Sequence, residues 1–119
     1  LTYQSMAVPL TVPTSGSYAG FNRQELYFVY AYENLKGNCF CFAASFYWMA
    51  REMGYDARLI EGQVMSRSGV FGPHSWVEID MDDVTYVFDP ETQYELGFNG
   101  YMRTYEDFTE MNYSKTPAY

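Results

Sequence analysis

Gly37-Asn38-Cys39-Phe40-Cys41-Phe42-Ala43-Ala44-Ser45-Phe46-Tyr47-Trp48-Met49-Ala50-Arg51-Glu52-Met53-Gly54 is the stretch on which the fold turns. Cys39, Phe42, Ala43, Phe46, Met49, Ala50 and Met53 recur at steps of three and four, the spacing of one helix face. Phe40, Ala44, Tyr47 and Trp48 fall on the opposite side. Cys39 to Met53 therefore reads as a helix that is apolar nearly all round, central and largely buried. Asn38 offers an N-cap side chain and Gly54 a C-terminal stop.

Upstream, residues 1–20 carry Pro9, Pro13, Gly16 and Gly20 among scattered Ser and Thr, which predicts an extended, irregular lead-in. A first helix is expected from Asn22 to Leu35. Asn22 would cap it with Glu25 three residues on, and Leu26, Val29, Tyr30 and Glu33 would share a face. Lys36-Gly37-Asn38 breaks it. Downstream the period changes to two. Ala57 to Met65 reads as a strand, and Ser66 to Pro73 as a Gly- and Ser-rich loop. His74 to Asp80 reads as a second strand and Val84 to Asp89 as a third, joined by a turn through Met81, Asp82 and Asp83. Asp89-Pro90 ends the third strand. A last strand is expected between Phe108 and Tyr113. Helix followed by antiparallel strands is an α+β order, and 119 residues fit one domain.

The chain can bury a core, being 48% hydrophobic and 20% aromatic; with 13 tyrosines, many phenols must keep their hydroxyls in water. The net charge is −8, and ten acidic residues from Glu78 onward face only Arg103 and Lys115. Such a surface repels phosphate backbones and anionic lipid, so neither nucleic acid nor membrane insertion is expected. No apolar run could span a bilayer and no signal peptide is evident. Starting at Leu1 rather than Met, the sequence reads as a piece of a longer chain. Two cysteines two positions apart make no disulfide framework, and a single His without a second Cys pair makes no zinc site; neither metal nor cofactor is expected.

A cysteine nucleophile needs a thiolate, a base, and a group that orients the base. Cys39 opens the central helix, where the helix-end field favours a thiolate and unpaired backbone N–H groups can receive an oxyanion. Cys41 lies about 200° further round the helix and faces elsewhere. Cys39 can equally be read as a small buried hydrophobe, and Cys41 is read as one. If the hairpin turn is centred between Met81 and Asp82, His74 stands directly opposite Asp89, Trp76 opposite Val87, and Glu78 opposite Thr85. Ser75, Val77, Ile79, Val84, Tyr86 and Phe88 then line the other, mostly apolar face. A one-residue slip would send His74 and Asp89 to opposite faces. Alone, His74 reads as a structural histidine and Asp89 as a turn residue. It is the order of helix-opening Cys, strand-borne His and strand-ending Asp that suggests a site.

These residues resemble the transglutaminase-like superfamily. Gly37-Asn38-Cys39-Phe40-Cys41-Phe42-Ala43, then Phe46, Gly54-Tyr55-Asp56-Ala57-Arg58 and Gly62, are similar to its first block. His74-Ser75-Trp76-Val77-Glu78-Ile79 is similar to its second, and Tyr86-Val87-Phe88-Asp89-Pro90 to its third. The three blocks span residues 37–90 in the expected order. The resemblance implies a papain-like core, with a Cys-bearing helix packed on an antiparallel sheet that bears the His and Asp. It implies that Cys39 attacks an amide carbonyl of a peptide or protein and forms a thioester. His74 would serve as base and then acid, and Asp89 would hold its tautomer. Water or an amine resolves the thioester, giving a protease or amidase in one case and a transglutaminase in the other. A small bacterial-type member is suggested, and the aromatics and acidic surface favour an extracellular or cell-envelope setting.

For the oxyanion, the Cys39 N–H is the first choice, with Gln63 and Gln24 as candidate side-chain donors. Trp76 would share a strand face with His74 and could wall the site. Arg58 reads as a strand anchor held by a salt bridge. The rival function is a non-catalytic protein- or glycan-binding module on the same fold, with Tyr94, Tyr101, Tyr105, Tyr113 and Tyr119 as a contact surface. A purely structural domain with a buried Cys39 is the remaining alternative.

Overall fold

The computed structural model describes residues 2–3, 22, 24–26, 28, 36–65 and 71–115. Strands β1 (Thr2–Tyr3) and β2 (Lys36–Gly37) pair in parallel. Helix α1 (Cys39–Glu52) follows at once. Then come β3 (Ala57–Met65), β4 (Phe71–Met81), β5 (Val84–Phe88), helix α2 (Pro90–Leu96) and β6 (Tyr113–Ser114). The last four strands form one antiparallel sheet in the order β5-β4-β3-β6. The α+β architecture and the span of β3 are as the sequence predicts.

Helix α1 begins where its cap can bond: the Asn38 side chain accepts from the N–H groups of Phe40 and Cys41. It ends at Gly54, whose φ of +92° suits glycine best. Ala43 and Ala50 pack on Ala57, Val77 and Ile79 of the sheet, with Phe46, Leu59, Met81 and Phe88 around them. Small residues on α1 let the helix lie close to the sheet, and burying Val77 and Ile79 contributes roughly 1.5–3 kcal/mol each. The expectation of a largely buried helix is corrected in its second half. Met49 and Met53 lie 60% and 72% exposed, and Trp48 stays exposed although Phe28 and Tyr47 meet it edge-on.

The hairpin register differs from the expectation by two residues. Asp82 and Asp83 both take positive φ, 52° and 64°, so they alone form the loop and Met81 pairs with Val84. Glu78 therefore faces Val87, and Thr85 faces Asp80. His74 is not directly opposite Asp89. A shift of two preserves parity, so both remain on one face as diagonal neighbours.

Three further corrections concern element bounds. β4 starts at Phe71, so Gly72 and Pro73 belong to the strand, paired with Val64 and Gln63. β5 reaches only Phe88, opposite Val77, so Pro73 lies beyond the doubly paired part of β4, where proline is tolerated. The last strand is present but shorter and later than expected: Phe108 is buried in a turn region, and Tyr113–Ser114 pairs with β3. Pro90–Leu96 is a helix that sequence reading missed. Its signals were present: Asp89 as N-cap, Pro90 in the first turn, and Gly97 in the left-handed conformation at its end.

In the N-terminal region, residues 24–26 and 28 are helical, and Asn22 and Glu25 exchange backbone–side-chain hydrogen bonds of 2.9 and 2.8 Å, the expected capping box. Val29, Tyr30 and Glu33, and the lead-in apart from Thr2 and Tyr3, lie outside the described residues.

Candidate active site

Three elements converge at the start of α1. Cys39 is its first residue and is half-buried. His74 projects from β4 and is 5% exposed, while Asp89, between β5 and α2, is fully buried. His74 Nε2 lies 2.7 Å from Asp89 Oδ2. The Cys39 side chain lies near enough to the imidazole to help raise its pKa. With Nε2 committed to the carboxylate, Nδ1 is the ring nitrogen left for another partner.

Burial alone would pull the His74 pKa down. The charge and hydrogen bond of Asp89, then the influence of nearby Cys39, outweigh it and raise the imidazole to about 10. Burial likewise pushes Asp89 up, but the His74 charge and the hydrogen bonds of His74, Tyr113 and Thr92 hold it below the usual carboxylate range. Cys41, sealed in the core, is pushed up to about 11 by burial. It reads as a small hydrophobe, as expected.

The Asp89 carboxylate carries two jobs. Oδ1 caps α2 by accepting from the Thr92 N–H at 3.2 Å. Oδ2 accepts from His74, from Thr92 Oγ1 at 2.9 Å and from the Tyr113 hydroxyl at 2.6 Å. A carboxylate held by this many donors stays ionised and cannot rotate away from the imidazole. The Asp89 backbone is pinned as well, donating to the Gly100 carbonyl at 2.6 Å. A side chain at Gly100 would put its Cβ 2.4 Å from the Asp89 oxygen.

Trp76 is fully buried and lies against His74 with ring centroids 6.0 Å apart and planes 25° from parallel. Its Nε1 donates to the Tyr105 hydroxyl at 2.8 Å. It supports the imidazole from within the core rather than walling an open cleft. Gln63 is half-buried on β3, facing Pro73 and Ser114, and Gln24 is half-buried in the N-terminal helical residues. The Cys39 N–H heads α1 and makes no hydrogen bond to a described residue; the next two N–H groups are taken by Asn38.

Sequence reading missed Thr92 and Glu91, and it put Tyr113 on a contact surface, whereas its hydroxyl donates to Asp89. Thr92 was detectable from the Asp-Pro-Glu-Thr helix start. Tyr113 had no local signal, since β6 brings it in from far along the chain. Glu91 is buried, and its carboxylate, Asp89 and His74 each offer an atom within 4.8 Å of the others, the grouping among the described residues that could hold a metal. Asp89 Oδ2 already accepts three hydrogen bonds there, an arrangement suited to an ionised carboxylate beside an imidazole.

Cys39, half-buried at the start of α1, thus lies near a buried imidazole–carboxylate pair. A profile of the transglutaminase-like superfamily matches residues 7–90, and the chain belongs to that superfamily. No curated protein matches the chain. Among the described residues no helix is long and apolar enough to cross a membrane.

Proposed function

We propose that this protein is a cysteine acyl-transfer enzyme acting on amide bonds of peptides or proteins. The supporting observation is the buried His74, its Nε2 held 2.7 Å from Asp89, near the half-buried Cys39 at the start of α1. The Cys39 sulfur, having given its proton to His74, attacks the amide carbonyl carbon, and a C–S bond forms. Charge collects on the carbonyl oxygen, to which the Cys39 N–H would donate a hydrogen bond. Collapse breaks the C–N bond as imidazolium returns its proton to the departing nitrogen, leaving a thioester. Water or an amine then adds to the thioester carbonyl while His74 removes its proton, and the thiol is released. Asp89 stays ionised throughout and keeps the imidazole oriented. Superfamily membership supports the reaction class. Gln63 and Gln24 are secondary candidates for contacts to the carbonyl oxygen.

A peptide-amide library mixed with the protein and quenched in acid tests this reading. A mass increase on Cys39 that neutral hydroxylamine removes is expected for the native chain, and none for Cys39→Ala. Iodoacetamide should label Cys39 in the native protein and Cys41 only after unfolding. Native labelling of Cys39 with no acyl adduct and no turnover of any amide would overturn the enzymatic reading.

A further inference from the structure

The second half of α1 leads to a feature that the acyl-transfer site does not use. Phe46, Ala50, Ile79 and Phe88 floor an apolar groove of about 440 Å³. Met49, Met53, Met81, Met102 and Tyr55 complete its lining. These are not residues on their way into a core: Met49, Met53 and Met102 are 60%, 72% and 55% exposed and Tyr55 is 45% exposed. Met102 is held outward by backbone at φ +55°, a conformation that β-branched residues avoid but an unbranched side chain can take. Four unbranched thioethers around a rigid aromatic floor make a surface that can repack around different apolar side chains. From Cys39 to Met53 the helix rises about 20 Å, so the exposed methionine end of the groove lies away from the thiol.

Charge around the groove is one-sided. Met81 runs directly into Asp82 and Asp83, both exposed, and Asp80 and Thr85 line an adjoining polar depression with them. Asp80 is neutralised by Arg58, which donates to it at 2.6 and 2.9 Å. Among the described residues Asp82 and Asp83 form no ion pair. Glu52, next to Met53, and Asp56, next to Tyr55, add two more exposed carboxylates. Arg51 is the one exposed cation beside them that has no ion pair among the described residues; Arg103, next to Met102, is bound by Asp107 and Glu110.

We propose that this groove docks a cationic amphipathic segment of a protein partner, its apolar face on the methionines and its Lys or Arg side chains over Asp82 and Asp83. An apolar floor recruits bulky side chains at helical spacing, and a carboxylate rim selects the sign of the flanking charge. This docking site stands apart from the proposed chemistry and can hold or fail without it.

Binding of a helix-forming Leu/Lys peptide of about 18 residues to the full chain, followed in ¹³C-methyl methionine spectra, tests the proposal. Shifts are expected at Met49, Met53, Met81 and Met102 and not at Met65. A Leu/Glu peptide of the same pattern should not bind. Asp82→Asn with Asp83→Asn keeps side chains that tolerate positive φ, and should weaken binding about tenfold and flatten its salt dependence. Met53→Asp should weaken it at least as much; the Asn pair, at the hairpin tip, keeps the test valid if Met53→Asp fails to fold. Equal binding of both peptides, shifts confined to other methionines, or affinity unchanged in the Asn pair would overturn the proposal. So would a concentration-dependent dimer that occupies the groove without peptide.

Discussion

Two buried charged side chains on one face of β4, His74 and Glu78, stand on either side of Trp76 and have opposite surroundings. Glu78 is 1% exposed and closed on all sides: Arg58 donates at 3.1 and 3.0 Å, Lys115 at 2.6 Å, and the Tyr105 hydroxyl also bonds to it. Its desolvation is offset by the hydrogen bonds of Lys115, Tyr105 and Arg58, which hold it below the ordinary glutamate range. Everything it can bond is already bonded, so it ties β3, β4 and the segment after β6 together and has no capacity left for chemistry. His74 is as deeply placed, but only one of its nitrogens is spent on a carboxylate, and the half-open thiol of Cys39 lies near the ring. A buried charge that is fully answered is architecture. One that keeps a reactive neighbour on its free side is a candidate for catalysis.

The largest effects should separate these two residues. Cys39→Ala or His74→Gln is expected to lower amide turnover by about three orders of magnitude or more, while the fold persists by circular dichroism. Glu78→Gln should reverse that pattern. Turnover per folded molecule stays within a few-fold, and stability by urea titration falls by about 3 kcal/mol, the low end for breaking a buried pair because Arg58 and Lys115 are partly solvated. Turnover lost in Glu78→Gln at unchanged stability would erase the distinction.

Acid and alkali should sharpen it. The folded pKa of His74 is raised from 6.5 to about 10, so its stabilising contribution is complete below pH 6.5 and drains away as pH climbs toward 10. Glu78, lowered from 4.5, contributes above its ordinary pKa and loses that contribution as pH falls. In pH-dependent urea melts, His74→Gln should therefore flatten the alkaline limb and Glu78→Gln the acid limb. Loss of the same limb in both variants would mean the clusters titrate as one.

Smaller effects probe the strand that serves both. A Cβ at Gly62 would come 2.3 Å from the Ser114 carbonyl oxygen and 2.8 Å from Trp76. Gly62→Ala should cost about 1–3 kcal/mol and lower turnover as well, since displacing β6 moves Tyr113 off Asp89. Tyr113→Phe removes only the 2.6 Å hydrogen bond to Asp89, and should cost about 1–2 kcal/mol with a loss in rate of about tenfold or less. A Tyr113→Phe rate loss as large as that of His74→Gln would move the tyrosine into the chemistry.

The chain's own periodicity determined a good deal. Steps of three and four located α1, its Asn38 cap and its Gly54 stop, because those are local properties of backbone and side chain. Alternation by two located β3 and placed His74 and Asp89 on one face, which survived a register two residues from the expected one because parity is all a face requires. The superfamily was legible from three short blocks. Only the tertiary structure decided the rest. The positive φ of both turn aspartates fixed which residues pair across the hairpin. Distant strand pairing carried Tyr113 to Asp89 and Lys115 to Glu78, contacts that no local pattern encodes. And whether an apolar residue such as Met49 or Met53 is core or surface depended on what else packs over it, since hydrophobic periodicity marks a face without naming its partner.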